Sequence, residues 1–340
     1  MAGNDAKRVT KKQSYVTHVL FKIPTARITW SFQTSTWTRN MAEGSRVLKI
    51  AVTLFNVAVF ILLLLFNYLS SRPNEGPFRH LFGNATTGGA SDKFYIEITP
   101  AGWAFSIWGL IYTWQAAWII YSLTFLCRKS TPELMSPVLL VVYAFSSFAN
   151  IGWLIVWSRE LIQASSILLF AIAFFLYGAM AISYATMNIH ARATSKREFI
   201  LVQVLVNNGL ALYTTWSTIA SLLNLTMALA YVHGVTQDVA STIALVILAV
   251  EIIVWFSLEN TILDKFVRYT LTIYPVVIWA LSASINKNWD PAKRNSIISV
   301  ILLAMACTLL VVRVAIVVWR QVKQKSGTVG NGSPILLHKA

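Results

Sequence analysis

The chain has 340 residues, of which 56% are hydrophobic and only 12% charged, about half the charged share of an ordinary globular domain. With a mean hydropathy of +0.61, a water-soluble globular fold is excluded. The formal charge of +15 raises nucleic acid as a partner, but nearly all of the 28 Lys and Arg lie in loops and tails, so the partner implied is a lipid bilayer and not nucleic acid.

Residues 1–45 are rich in Lys, Arg, Ser and Thr and poor in acids. That composition suits a basic, disordered cytosolic tail and also a mitochondrial presequence. "MAEGSR" at Met41 reads as a second start. Eight nearly charge-free runs follow, at 47–69, 100–126, 136–157, 162–187, 200–226, 239–258, 269–286 and 296–319. Each is about the 20 residues needed to cross roughly 30 Å of hydrocarbon. The first is long enough to act as an uncleaved anchor. With the N-terminus inside, the outer loops carry only Arg72, Arg79, Lys93, Arg159, Lys287, Lys293 and Arg294. The remaining basic residues lie inside, which puts both termini in the cytosol. A plasma or endomembrane location is expected, with a mitochondrial membrane as the alternative.

Between the first two runs, residues 70–98 form a long outer loop, and Asn84-Ala85-Thr86 within it is a glycosylation sequon centred on Asn84. The second run opens "TPAGWAFSIWGLIYTWQAAW", from Thr99 to Trp118. Thr99 is placed to cap a helix whose first turn begins at Pro100, where a missing N–H costs nothing. At 100° per residue, Phe105, Trp108 and Tyr112 share one face, and Trp103, Trp114, Trp118 and Tyr121 share another. For the second stripe, packing or an interfacial belt is the simpler reading. Trp108 and Tyr112 lie deeper, where a buried indole N–H or phenol must find a partner without water.

The third run carries Tyr143, Ser146, Asn150, Trp153 and Trp157 at three- and four-residue intervals, one helical face. The fifth carries Gly209, Tyr213, Trp216, Ala220 and Asn224 in the same way. An asparagine amide facing lipid is costly, so Asn150 and Asn224 are expected to point into the bundle. Cross-helix hydrogen bonding and ligand contact are both open for them. Gly209 and Ala220 read as close-packing positions.

Pro100 followed by Trp108 and Tyr112, then "NIGW" from Asn150 and "LYTTWSTIASLLN" from Leu212, resembles the second, third and fifth helices of the translocator protein family, also called tryptophan-rich sensory proteins. The resemblance covers roughly 47–230. "SDKFYIEITPAGWAFSIWGLIY" is similar to the loop and second helix of the longer members. The chain departs at Gly102, where that family has tryptophan, and in a first helix lacking the glycine-rich pattern.

The resemblance implies an all-α fold: a five-helix unit over 46–230, around a cavity lidded by loop 70–98. A three-helix extension over 239–320 and a cytosolic tail at 321–340 follow. It further implies ligand contact by Phe105, Trp108, Tyr112, Asn150, Trp153, Tyr213, Trp216, Ala220 and Asn224, in a slot between flat rings. Such a slot suits a planar, largely apolar molecule, and the resemblance implies a tetrapyrrole or sterol. No cofactor is required. Haem ligation is disfavoured because His190 and His233 lie near membrane edges. A homodimer is among the partners it allows.

In the extension, Glu251 and Arg313 are the charges most deeply placed, at matching depth from one membrane face. The expectation is an ion pair between them, which offsets the several-kcal/mol cost of either charge alone. The alternative is a relay continued by Glu259 and Asp264. Cys127 and Cys307 are badly placed for an extracellular disulfide, and no span holds the clusters needed for a metal or for acid–base catalysis. The chain is therefore read as a non-enzymatic sensor or carrier, with tetrapyrrole breakdown entering only by resemblance. A secondary transporter using the buried charges is the second reading.

Overall fold

The computed structural model describes residues 34–75, 78–83, 85–128 and 132–329, with no strand among them. Expectations for residues 1–33 and 330–340, and for Asn84, lie outside the described residues. Helix α1 spans Thr34–Ser70 and so begins inside the segment expected as a tail. It is followed by α2 (Thr87–Lys93), α3 (Ile107–Cys127), α4 (Pro137–Ser158) and α5 (Ile162–Ile189). The fifth span is α6 (Lys196–Leu201) and α7 (Asn208–Tyr231), joined by a π turn at Val202–Asn207. The extension holds α8 (Gln237–Asn260), the short α9 (Asp264–Val267), α10 (Ile273–Asn288) and α11 (Arg294–Val329).

Among the described residues, seven helices are long and apolar enough to cross a membrane, so the protein is a multi-pass helical bundle. The run at 269–286, expected as an eighth span, departs from that expectation. It is helical only as the 16-residue α10, about 24 Å at 1.5 Å per residue. Its first residues are spent on a polar hook. Thr272 Oγ1 donates to Asn208 O at 2.9 Å, and Asn208 Oδ1 accepts from Leu271 N at 2.8 Å. At the other end Asn288 Nδ2 donates to Thr99 O at 2.7 Å. Thus α10 still runs the length of the bundle, shortened by the residues it gives to α7.

The five-helix unit and the extension form one compact unit from Val47 onward. At its centre is α7, which packs against α3, α5, α8 and α10. Local chemistry sets the helix starts. Ser136 caps α4 by accepting from Leu139 N at 3.2 Å, with Pro137 in the first turn. Ser195 caps α6 at Glu198 N in the same way, and the Glu198 carboxylate also takes Arg128 at 2.6 Å and the Tyr121 hydroxyl. The start of the fifth span is thereby tied to the end of α3.

Loop 71–101 caps one end of the bundle. Arg159 donates to Leu81 O and His80 O, both at 2.8 Å, and Lys93 pairs with Glu160. Tyr231 donates to Tyr95 O at 2.6 Å. Ties also reach the extension, through Lys287 to Asp92 and Asn295 to Glu97. Gly83 is required where the loop crosses α4, because a Cβ there would stand 1.9 Å from Ser158 O. Thr99 does not cap a helix: its Oγ1 accepts from Ile96 N at 2.8 Å, and the chain enters a 3-10 turn at Gly102–Ser106 before α3 starts at Ile107. Pro100 therefore belongs to the loop.

Arg313 does not pair with Glu251. Its guanidinium is fully buried, with Nε 3.4 Å from Glu259 Oε2 and Nη1 3.5 Å from Asp264 Oδ1. It also donates to Glu259 O at 3.0 Å and to Asn260 Oδ1 at 2.8 Å. Glu259 accepts in addition from the Tyr274 hydroxyl at 2.5 Å and from Trp255 Nε1 at 3.1 Å. The expected pairing fails on depth: Asn295 Nδ2 donates to Asp238 O at 2.8 Å, a stagger of α11 beside α8 that carries Arg313 past Glu251 toward the end of α8. Glu259 lies eight residues beyond Glu251, near the end of α8, and the long arginine side chain reaches back to it. Burial pushes the Asp264 carboxyl up, but hydrogen bonding to Arg268 and the charges of Arg268, Arg320 and Arg313 outweigh this and hold it below the usual carboxylate range. Its contribution to stability is therefore present at neutral pH and lost as pH falls below the ordinary Asp value of about 3.9.

Arg313→Met strands Glu259 without its cation and is expected to cost about 3–5 kcal/mol, read as a large fall in the melting temperature of detergent-purified protein. Glu251→Gln, outside that cluster, should change it by about 1 kcal/mol or less. Equal losses from the two would restore the Glu251–Arg313 pair. Gly83→Ala is expected to unseat the loop, read as faster proteolysis between residues 71 and 101 with the bundle helices still protected.

Candidate functional site

The structure gathers the rings that the sequence put on separate helices. Trp108 stands at the junction of the 3-10 turn and α3, with Tyr112 one turn further on. Their centroids are 5.5 Å apart and their planes 21° from parallel. On its other side Trp108 stacks on Trp153 of α4 at 5.8 Å, and Trp153 stacks on Trp157 at 6.0 Å. Tyr213 and Trp216 of α7 meet Trp108 edge-on at 6.1 and 6.3 Å. The result is an aromatic ladder, Tyr112–Trp108–Trp153–Trp157. It ends at the loop, where Trp157 Nε1 donates to Thr87 O at 3.2 Å.

The expected open slot is absent. A third flat ring between two others needs roughly 7 Å between their planes, twice a carbon contact distance of about 3.5 Å. The ladder's centroid spacings fall short of that, so the rings fill the space themselves. Two cavities lie on the other side of α7 against the extension, with Trp216 at the edge of one.

Asn150 is the polar centre of the cluster. It is fully buried, and its Nδ2 donates to the Tyr213 hydroxyl at 2.6 Å and to the Tyr112 hydroxyl at 3.1 Å, which locks α3, α4 and α7 together. Several buried atoms around it lack partners: Asn150 Oδ1, Trp153 Nε1, Trp216 Nε1 and the Tyr143 hydroxyl. Such atoms cost about 1–3 kcal/mol each when left unmade. Their concentration on the faces of α4 and α7 that carry the rings sets this region apart.

Other expected residues fall outside the cluster. Phe105 is half-buried on the 3-10 turn and joins none of its ring contacts. Ala220 is buried on α7 as a packing residue. Asn224 lies two turns past Trp216, about 12 Å along the helix, where it accepts from Ser165 Oγ at 2.6 Å. Its role is cross-helix hydrogen bonding between α7 and α5. The second stripe of α3 packs against neighbours: Trp114 Nε1 donates to Val204 O, Trp118 to Gln115 Oε1, and Trp103 to Asn286 Oδ1. Trp103 also meets Trp279 of α10 edge-on at 4.8 Å.

Sequence reasoning missed Gln115 and the π turn. Gln115 Nε2 donates to Gly209 O at 2.9 Å, where Gly209 is needed because a Cβ would meet Trp114 at 2.8 Å. The π turn frees Val204 O and Gln203 O for Trp114 and Asn208. A lone glutamine in an apolar helix is a signal of the same kind as Asn150. His190 and His233 sit at helix ends, after α5 and α7 respectively. Among the described residues, no three of His, Cys, Asp and Glu gather as metal ligands, and Cys127 and Cys307 are free.

Asn150→Ala removes the donor shared by both tyrosines and should cost about 1–3 kcal/mol. Tyr213→Phe should lose most of its own effect in the Asn150→Ala background. Additive effects in that thermal-unfolding cycle would show that the 2.6 Å contact is not formed.

A family profile described as TSPO-like protein matches residues 53–317, from the first span into the last. Neither the curated proteins nor the solved structures include a match. The match runs across both the five-helix unit and the three C-terminal helices, and the aromatic cluster lies inside it: the chain belongs to the TSPO-like protein family.

Proposed function

We propose that this membrane protein binds a planar, largely apolar ligand, of tetrapyrrole or sterol type, in the aromatic cluster and acts as a sensor or carrier for it. The observation that carries the reading is the coincidence of stacked rings with unpartnered buried donors, Trp153 Nε1 and Trp216 Nε1. A flat ligand with peripheral acceptors would satisfy the donors and replace ring–ring contacts by ring–ligand contacts of similar strength.

Because the ladder is closed, entry requires a ring to move. Trp108 is the ring suited to it: it is only half-buried, its indole N–H makes no hydrogen bond among the described residues, and it follows the 3-10 turn. The ladder leads to Trp157 under the loop, which supports that face as the route in. The ligand then takes the place of Trp108 between Tyr112 and Trp153, and the displaced ring becomes the change a partner reads. Among the described residues, Glu259 and Arg313 are locked in mutual contacts, which weighs against the transporter reading for that pair.

Protoporphyrin titrated into the protein in nanodiscs is expected to quench tryptophan fluorescence saturably. Trp153→Phe and Trp216→Phe should each weaken binding about tenfold, near 1.4 kcal/mol. Linear quenching unaffected by either substitution would mean that porphyrin merely partitions into lipid, and would remove the tetrapyrrole assignment.

A further inference from the structure

Glu251 has no place in the aromatic cluster or in the Arg313 network. It lies 14 residues into α8 (Gln237–Asn260), about 21 Å along a helix of about 36 Å, and so near the middle of the span. A carboxylate at that depth is costly and marks a functional site by default. Two turns further on, Glu259 shows how this fold settles such a charge, with an arginine, a phenol and an indole N–H around it. Glu251 has none of these: its carboxylate makes no hydrogen bond or ion pair among the described residues.

What it does have is a cavity. Helices α5, α7, α8 and α10 line a partly open cavity bounded by Glu251, Tyr177, Thr218, Trp255, Tyr274 and aliphatic side chains. Its volume of about 60 Å³ suits the charged head of a ligand, with any larger apolar body left in the open side. Tyr177, half-exposed on the lipid-facing side of α5, stands at its rim, so access is lateral, from the bilayer.

The hydrogen-bonding polarity of the walls selects the occupant. The hydroxyls of Thr214, Thr215 and Thr218 donate to the backbone carbonyls of Leu210, Ala211 and Thr214. Tyr177 is left to donate to Thr218 Oγ1, at 3.1 Å. Trp255 and Tyr274 both donate to Glu259. Every side-chain donor lining the cavity is therefore engaged, and what remains is hydroxyl lone pairs, aromatic faces and one carboxylate. A neutral or anionic ligand gains little from such walls. A cation bearing an N–H gains an ion pair, acceptor oxygens and ring faces at once.

We infer that this cavity is a second ligand site, separate from the aromatic cluster, which takes a lipophilic monocation of the protonated-amine class with its charge on Glu251. The cavity takes the ammonium head, and the lateral opening leaves the apolar body in the membrane, where such amphiphiles concentrate. The inference does not depend on the planar-ligand reading, since the two sites share none of the residues that would carry ligand contact.

The test uses the full chain in phosphatidylcholine nanodiscs with tritiated N,N-dimethyl-2-naphthylmethylamine as probe. Saturable binding is expected, weakened about tenfold or more by Glu251→Gln, which is worth at least 1.4 kcal/mol for the lost ion pair. The uncharged analogue with carbon in place of nitrogen should not compete. A second variant, Ile252→Trp, fills the cavity while leaving the carboxylate in place, and should also abolish saturable binding. Unchanged melting temperatures would show that both variants are folded. Binding that is non-saturable, that survives Glu251→Gln, or that the uncharged analogue displaces equally would overturn the assignment. A Glu251 that serves only to carry a proton would give the first of these results.

Discussion

In hydrocarbon a polar group finds its partner in another helix or not at all, and that constraint organises this molecule. The apolar surfaces of the helices are interchangeable to first approximation, because lipid tails are as apolar as leucine. What distinguishes one packing from another is where the amides and charges meet. Asn208 fixes the 268–272 linker against the fifth span, Asn150 fixes α3, α4 and α7 around two phenols, and Arg313 fixes the ends of α8, α9 and α11. Remove these contacts and the bundle loses its register before it loses its hydrophobic content.

Placed within this frame, α7 carries two chemistries on opposite faces. One face gives Tyr213 and Trp216 to the aromatic cluster, and the other gives Thr214, Thr215 and Thr218 to the cavity beside Glu251. The π turn at its base and the Gln115 contact at Gly209 hold the helix in the rotation that serves both. The loop joins the two halves from above, being tied to α4 through Arg159 and to α10 and α11 through Asp92 and Glu97. Movement of the loop for entry at the aromatic ladder would thus be felt by the extension.

Much of this was legible in the chain. Seven of the eight charge-free runs gave spanning helices, and the spacing of Asn150–Trp153 and of Tyr213–Trp216–Asn224 gave the helical faces, because both depend on composition and on a fixed 100° per residue. The site was legible as a set of residues that meet, but not as their arrangement. Whether Trp108, Trp153 and Tyr112 leave a slot or close it depends on tenths of a nanometre in helix separation. That Asn224 serves Ser165 and not the rings depends on the rise of α7.

By itself the sequence determined the membrane class, the helical fold, the aromatic faces and the need of each buried polar residue for a partner, since hydropathy and helical periodicity are local properties. Only the tertiary structure decided which partner each would take. The runs put Glu251 and Arg313 at similar expected depths, yet Arg313 meets Glu259 and Asp264 beyond the end of Glu251's reach while Glu251 lines a cavity. Position along a span is written in one helix, whereas stagger, azimuth and separation are set jointly by all the helices that pack around it.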